Sequence, residues 1–154
     1  EVVSGWDQPL ITQVGYDGGI LGLIRKRFNN IPYYLVEAKE EPGNYNLIQI
    51  STTVQATFSN LKRAHKGNLT NYSDLFLNYK KHPVQLILDQ WMSEDGGRLY
   101  NKRNKIIILE HDQDTYLELV SDNYKWLTLY QIKDLIINYN AIIAPHLRSA
   151  ISGL

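Results

Sequence analysis

The stretch EAKEEPGNYNLIQISTTVQATFSN, residues 37–60, combines carboxamides, hydroxyls, carboxylates and a lysine with β-forming residues. It has few of the large aliphatic side chains that a plain core segment contains. Residues 40–44 have the composition of a tight polar turn. LIQIS, at 47–51, alternates as a strand does, which puts Gln49 and Ser51 on one face. The mixture is typical of a functional site rather than of a scaffold.

The periodicity changes from Thr53 onward. Val54, Phe58 and Leu61 recur at the spacing of one helical face, so a helix is predicted from about residue 51 or 53 to Gly67.

A β-hairpin is predicted before this stretch. GGILGLIRKRF at 18–28 and YYLVEAK at 33–39 are rich in β-forming residues and flank turn-like residues at 29–32. The second strand delivers Glu37 and Lys39 to the start of the polar stretch. The opening residues, with Trp6 and Pro9, indicate an extended arm that packs on the body or on a partner.

A loop and a helix are predicted after this stretch. Residues 67–82 are polar and predict a loop with a short helical turn. Pro83 suits the first turn of a helix, and the helix is expected to end at Gly96. Its apolar stripe consists of Val84, Ile87, Leu88 and Trp91.

Two strands and two helices are expected in the last third of the chain. KIIILEH at 105–111 and TYLELV at 115–120 are β-runs. Thr128 and Gln131 have the spacing of a capping box, which predicts that a helix begins there. A short helix is expected after Pro145.

Length and composition exclude several classes of protein. The chain has 154 residues, enough for one domain over 1–154 with a sizeable core. Sixteen basic and sixteen acidic residues cancel, so no basic field indicates nucleic-acid binding. The absence of cysteine excludes thiol chemistry. Without a long apolar run, we expect no membrane insertion and a cytoplasmic location.

Standard catalytic motifs are absent from the sequence. It contains no Walker or Rossmann glycine loop, no HExxH and no GxSxG. The four histidines lack the spacing of metal ligands, so each is expected to be a surface or capping residue: His65, His82, His111 and His146.

Two polar clusters remain as candidates for chemistry. Carboxamides and hydroxyls match sugar hydroxyls, and lysine and arginine match a diphosphate. The alternative is that they are ordinary strand edges, turns and caps. The first cluster comprises Lys39, Glu41, Gln49, Ser51, Thr53, Gln55, Ser59 and Asn60, and the second comprises Ser93, Glu94, Lys102, Arg103 and Asn104.

With these residues the sequence resembles the nucleotide-diphosphate-hexose 2,3-dehydratase family. The resemblance lies in segments spread over nearly the whole chain, namely WDQPLI (6–11), ILG (20–22), LVEAKEEPGN (35–44), QIS (49–51), TVQAT (53–57), SN (59–60), Ser93-Glu94, KRN (102–104) and WLTLYQI (126–132). It implies an α/β (α+β) fold with a Nudix-like mixed sheet flanked by helices. The glutamate-rich Nudix box is missing, so no metal is implied, and the reaction that the resemblance implies needs no cofactor.

The resemblance also implies a substrate and a reaction. A base removes the C3 proton of a nucleotide-linked 4-keto-6-deoxyhexose, the C2 hydroxyl leaves, and a 3,4-diketo sugar results. Glu94 or Lys39 is expected to transfer the proton, with Lys102 and Asn104 stabilising an oxyanion or phosphate. The other candidates bind sugar and nucleotide: Glu41, Gln49, Ser51, Thr53, Gln55, Ser59, Asn60, Ser93 and Arg103.

Members of this family usually carry two such repeats, and this chain holds one, so a homodimer could stand in for the pair. Phe58 stands where the family pattern usually has an arginine, which removes a bidentate partner for phosphate. A binding module that kept the pocket and lost the chemistry is therefore a second hypothesis, and a purely structural domain is a third.

Overall fold

The predicted hairpin forms the centre of the sheet in the computed structural model. β1 spans Gly19–Phe28 and β2 spans Ile31–Glu40, and they pair from Phe28 opposite Ile31 to Ile24 opposite Leu35. Asn29 and Asn30 both have positive φ angles, 49° and 65°. Two-residue hairpin turns of this kind favour asparagine, because its side chain tolerates the left-handed region.

The structure describes residues 9–12, 18–61, 70–95, 98–139 and 141–154. In this part of the chain seven strands form one mixed sheet, in the order β3-β2-β1-β6-β5 with β4 beside β1 and β7 beside β2. The remaining elements are β3 Ile48–Ser51, β4 Val54–Thr57, α1 Phe58–Leu61, α2 Ser73–Leu77, a 3-10 turn Tyr79–Lys81, β5 Val84–Ser93, β6 Arg103–His111, β7 Tyr124–Thr128, α3 Leu129–Asn138 and α4 Pro145–Ile151.

The polar stretch fills a gap between the two hairpin strands. β3 pairs with the C-terminal end of β2 and β4 pairs with the N-terminal end of β1, antiparallel in both cases. The helix predicted from residue 51 or 53 is therefore wrong for Val54–Thr57, because hydrogen bonding to β1 makes this segment a strand. A Cβ atom at Gly19 would lie 2.7 Å from the Ala56 carbonyl oxygen, so glycine permits this close approach. Residues 62–69 lie outside the described residues.

The predicted helix after Pro83 is also wrong, since Val84–Ser93 is the edge strand β5. It pairs with β6 along its whole length, with a bulge between Leu86 and Leu88. The bulge places these two leucines on opposite faces, so Leu86 packs in one core and Leu88 in the other. Because the bulge shifts the alternation of this strand by one residue, its apolar side chains fall at the spacing of a helical stripe.

The strand predicted at 115–120 does not form, and this segment has no regular secondary structure. The Tyr72 hydroxyl donates to the Glu118 carbonyl at 2.8 Å and accepts from the Val120 amide at 3.1 Å. A side chain thus satisfies backbone groups that a neighbouring strand would otherwise satisfy.

Hydrophobic clusters cover both faces of the sheet. Leu75 and Phe76 of α2 pack on one face, whereas Ile132 of α3 and Leu147 of α4 pack on the other. The capping box at Thr128 and Gln131 and the short helix from Pro145 are confirmed. Across the described ranges, no helix has the length and apolar character needed to cross a membrane.

The predicted N-terminal arm is described in part. Ile11 forms an isolated parallel bridge with Leu99, and its amide donates to the Arg98 carbonyl at 2.9 Å. Trp6 lies outside the described residues.

Candidate functional site

A cavity of about 390 Å³ lies between the paired ends of β5 and β6 and the first turn of α4. Its size falls in the usual range for small-molecule sites, and its lining combines apolar and polar side chains. The lining residues are Leu21, Met92 and Ile106, then Ser93, Glu94, Asp95, Arg98, Asn104, Pro145, His146 and Ser149.

The Glu94 carboxylate is the centre of a hydrogen-bond network at this cavity. Its Oε2 accepts from Asn104 Nδ2 at 2.9 Å and lies 3.1 Å from Lys102 Nζ. Its Oε1 lies 3.3 Å from His146 Nε2. Both carboxylate oxygens are therefore held by three side chains, two from residues 102–104 at the start of β6 and one from α4.

Strand pairing brings these side chains together. Met92 lies opposite Asn104, and the Glu94 amide continues the pairing by donating to the Lys102 carbonyl at 2.9 Å. The bulge after Leu86 sets which face Met92 and Glu94 occupy. Without this extra residue the carboxylate would point to the opposite side of the sheet.

The surroundings of Glu94 keep it ionised. The hydrogen bond from His146 lowers the pKa of the Glu94 carboxyl to about 2, helped by Lys102 and opposed by partial burial. A carboxylate with so low a pKa is a weak proton acceptor near neutral pH. Glu94 is therefore suited to hold and stabilise a neighbouring cation more than to remove a proton.

His146 reaches Glu94 because β3 anchors the segment before α4. The Ile50 amide donates to the Ile142 carbonyl at 2.8 Å, and the Ala144 amide donates to the Ile50 carbonyl at 2.9 Å. Gln49 Nε2 donates to the Ala141 carbonyl at 2.5 Å. Part of the polar stretch thus places His146 indirectly, and Gln49 is occupied by this structural contact.

Sequence reasoning missed His146, and it misplaced His111. His146 is half-buried at the cavity, and His111 is buried with Nδ1 at 2.9 Å from the Asp112 carbonyl oxygen. His82 pairs with Asp74 at 2.7 Å, as a surface residue does. His65 lies outside the described residues. A lone histidine after Pro145 gives no sequence signal, since its partner is 52 positions away.

Four predicted residues from the first cluster form a second network. Lys39 Nζ lies 2.9 Å from Glu41 Oε1, which also accepts from Gln55 Nε2 at 3.2 Å. Ser51 Oγ donates to Gln55 Oε1 at 3.1 Å. Burial raises the pKa of neighbouring Glu37, with Lys39 acting in the opposite direction. Lys39 and Glu94, the two expected proton-transfer residues, therefore belong to separate networks.

The two networks border the same sheet face through Gln55. Gln55 of β4 lies directly opposite Leu21 of β1, and Leu21 lies opposite Ile106 of β6. Directly opposed residues project to one face. Because neighbouring strands are about 4.8 Å apart, Gln55 is about 10 Å from Ile106 along this row. Leu21 and Ile106 both line the cavity.

Thr53 has a structural position instead of the expected binding position. It is fully buried, and its hydroxyl accepts from the Ile24 amide at 3.0 Å and donates to the Leu35 carbonyl. It thereby joins β1 to β2 where they separate. Because the hydroxyl is buried and makes both of these hydrogen bonds inside the protein, it is not accessible to a ligand.

Ser59, Asn60 and Arg103 also lie apart from the cavity lining. Ser59 Oγ and the Asn60 amide bind the Thr57 hydroxyl at 3.0 and 3.3 Å, at the start of α1. The Arg103 guanidinium lies 4.5 Å from the Trp91 ring centroid. Phe58 contacts the same tryptophan, with ring centroids 6.2 Å apart, so it packs and supplies no charge.

The described residues contain no group of three or more histidine, aspartate or glutamate side chains that could hold a metal ion. A second cavity, of about 520 Å³, lies at the other end of β5 and β6 and is lined by Arg27, His82 and Glu110 among others. None of the candidate residues lines it, and Glu110 already pairs with Arg25 and Arg27.

Comparison of the fold shows a distant neighbour among solved structures. The C. elegans Ap4A hydrolase superposes with a TM-score of 0.50 at 10% identity, covering 94% of this chain and 96% of that chain. A Nudix hydrolase from M. smegmatis, RenU, superposes with a TM-score of 0.46 at 10% identity, over 88% and 81%. Such identities concern the fold alone, and the expected Nudix-like α+β arrangement is confirmed.

Comparison of the sequence identifies the family. A dTDP-4-dehydro-6-deoxy-alpha-D-glucopyranose 2,3-dehydratase from Amycolatopsis orientalis is 38% identical over 149 residues, which is 97% of this chain and 30% of that protein. The chain spans less than a third of the curated relatives it matches. The family model for NDP-hexose 2,3-dehydratase matches residues 1–154. The chain therefore belongs to the NDP-hexose 2,3-dehydratase family.

Proposed function

We propose that the protein takes part in the 2,3-dehydration of a nucleotide-linked 4-keto-6-deoxyhexose. The reaction removes the C2 hydroxyl and gives a 3,4-diketo sugar. The observation that carries this proposal is the Glu94 network at a cavity of about 390 Å³, in a chain of this family.

The reaction needs a proton acceptor near C3, charge stabilisation for the enolate and a proton donor for the leaving hydroxyl. Lys102 supplies a cation beside the cavity, and Asn104 supplies an amide. Both bind Glu94 Oε2, so a developing oxyanion would compete with the carboxylate for the same donors. We place the reacting carbons at this network and not at Lys39.

The second network would hold a more distant part of the substrate. Glu41 and Gln55 present directed donors and acceptors beyond Leu21, Lys39 adds a cation, and the buried Ser51 hydroxyl holds Gln55. Such groups match sugar and nucleotide hydroxyls or a phosphate. A nucleotide-linked hexose bound at Glu94 would extend across Ile106 and Leu21 to Gln55, and the part of this path from Ile106 to Gln55 is about two strand spacings, or ~10 Å.

The oligomeric state belongs to the same proposal. The chain spans less than a third of the length of its curated relatives. We propose a homodimer that works in the cytoplasm. Sedimentation or size-exclusion measurements test the dimer, and a strict monomer at micromolar concentration contradicts it.

Incubation with a nucleotide-linked 4-keto-6-deoxyglucose tests the activity. We expect the NMR signal of the C2 hydroxyl-bearing carbon to be replaced by that of a methylene carbon. Micromolar binding without this change would support the hypothesis of a binding module and reject that of a dehydratase. Neither binding nor conversion would reject both.

A further inference from the structure

We propose that His146 is the residue that carries the proton in this reaction, and that Glu94 positions its ring. This inference rests on the proposed dehydration. In it, His146 accepts the C3 proton and then returns a proton to the C2 hydroxyl as that group leaves.

The geometry separates the two nitrogens of the His146 ring. Nε2 faces Glu94 Oε1 at 3.3 Å, so Nε2–H donates to the carboxylate. This tautomer leaves the lone pair on Nδ1 for the substrate. His146 also lines the cavity, whereas the network around Lys39 does not.

Glu94 is held firmly enough to orient the ring. Its other oxygen is bound by Asn104 Nδ2 at 2.9 Å and Lys102 Nζ at 3.1 Å. The carboxylate therefore cannot rotate away from His146 without losing two further contacts. An ionised carboxylate next to imidazole stabilises the imidazolium that forms when Nδ1 takes a proton.

The other charged groups at the cavity are less suited to transfer a proton. Arg98 Nε lies 3.4 Å from Asp95, and both side chains are more than half exposed. Lys102 binds the Glu94 carboxylate. Arg148, on α4 with His146, is exposed to solvent.

The step balances with one histidine. Nδ1 takes the C3 proton, and the C3–H electron pair forms an enolate with the C4 carbonyl. The enolate re-forms the carbonyl, a C2–C3 double bond forms, and the C2–O bond breaks. The proton on Nδ1 joins the leaving hydroxide to give water. The enol at C3 then gains a proton at C2 and loses its hydroxyl proton, so no electron acceptor is needed.

The decisive measurement follows C3 and C2 of the nucleotide-linked 4-keto-6-deoxyglucose in D₂O by NMR. Wild type is expected to exchange the C3 proton, to lose the C2 hydroxyl, or both. His146→Gln is expected to reduce both rates at least ~100-fold while the Kd for the nucleotide sugar changes less than about fivefold. Imidazole added to His146→Ala should restore part of the rate.

His82→Gln is the matched control, because His82 also pairs with a carboxylate, Asp74, outside the cavity. Its rates should equal those of wild type. Glu94→Gln keeps a hydrogen-bond acceptor but removes the charge, so the rising limb of its pH–rate profile should move to lower pH. A change in KM alone would instead indicate a merely structural role for Glu94.

The outcomes separate this inference from the proposed function. Exchange at C3 without loss of the C2 hydroxyl, abolished by His146→Gln, rejects the dehydratase and supports His146. Conversion by His146→Gln at the wild-type rate rejects His146 and keeps the dehydratase. A wild-type protein that neither exchanges nor converts rejects both.

Discussion

His146 Nε2 lies 3.3 Å from Glu94 Oε1, although the two residues are 52 positions apart in the chain. Glu94 follows the edge strand β5, and His146 lies in α4, which β3 anchors through the bonds of Ile50. The candidate site therefore depends on three distant parts of the chain. Changes far from the cavity should affect it through this framework.

Glu94 should contribute to stability in a defined pH range. Because its pKa is lowered from 4.5 to about 2, the contribution is present above pH 4.5 and is lost as the pH falls to about 2. A shift of this size corresponds to about 3 kcal/mol at most. Urea unfolding of Glu94→Gln should show reduced stability at pH 7 and a shrinking difference from wild type below pH 4.5.

Asp95→Asn is the control for this measurement. Asp95 forms an exposed pair with Arg98 at 3.4 Å, and exposed pairs contribute little. Equal losses for both variants at pH 7 would contradict the assignment of a specially held carboxylate.

Thr53→Val should destabilise the fold by about 2 kcal/mol, because it leaves the buried Ile24 amide without its acceptor and the Leu35 carbonyl without this donor. Valine preserves shape, so the loss reports the hydroxyl. Chemical denaturation measures it. Thr115→Val removes a more exposed bond to Asp112, and should cost less than about 1 kcal/mol. Similar losses of stability at the two positions would show that the buried hydrogen bonds of Thr53 contribute no more than the exposed one of Thr115.

Gln49→Ala should loosen the segment that places His146. The Ala141 carbonyl loses a donor, and we expect a cost of about 1–2 kcal/mol. Hydrogen exchange at the Ile50 and Ala144 amides should accelerate, since their bonds join the same two segments. Gln85→Ala, at an exposed position of β5, serves as the comparison. Unchanged exchange in Gln49→Ala would rule out this anchoring role.

Gly22→Ala should destabilise the protein by about 1–3 kcal/mol through overpacking. An added Cβ atom would lie 2.6 Å from two atoms of the Phe76 ring. Thermal unfolding measures the loss, and the double variant with Phe76→Leu should recover part of it relative to Phe76→Leu alone. Additive losses would mean that another contact limits the size of residue 22.

Some local features were predictable because their causes lie within a few residues. Asn29 and Asn30 favour the tight turn, and the capping box joins Thr128 to Gln131. Two helix predictions failed for a different reason. Val54–Thr57 and Val84–Ser93 have apolar residues at helical spacing, but hydrogen bonding to β1 and β6 decides their conformation. A bulge cannot be read from spacing alone.

The sequence by itself determined the hairpin, the α+β class and the family, since local turn chemistry and ordered sequence segments are sufficient for these. It also pointed to Glu94, Lys102 and Asn104. The tertiary structure alone decided that Lys39 and Glu94 belong to separate networks, that Thr53 joins β1 to β2, and that His146 meets Glu94. The reason is physical: these relationships arise from strand register, a bulge in an edge strand and the docking of α4, each of which depends on residues far apart in the chain.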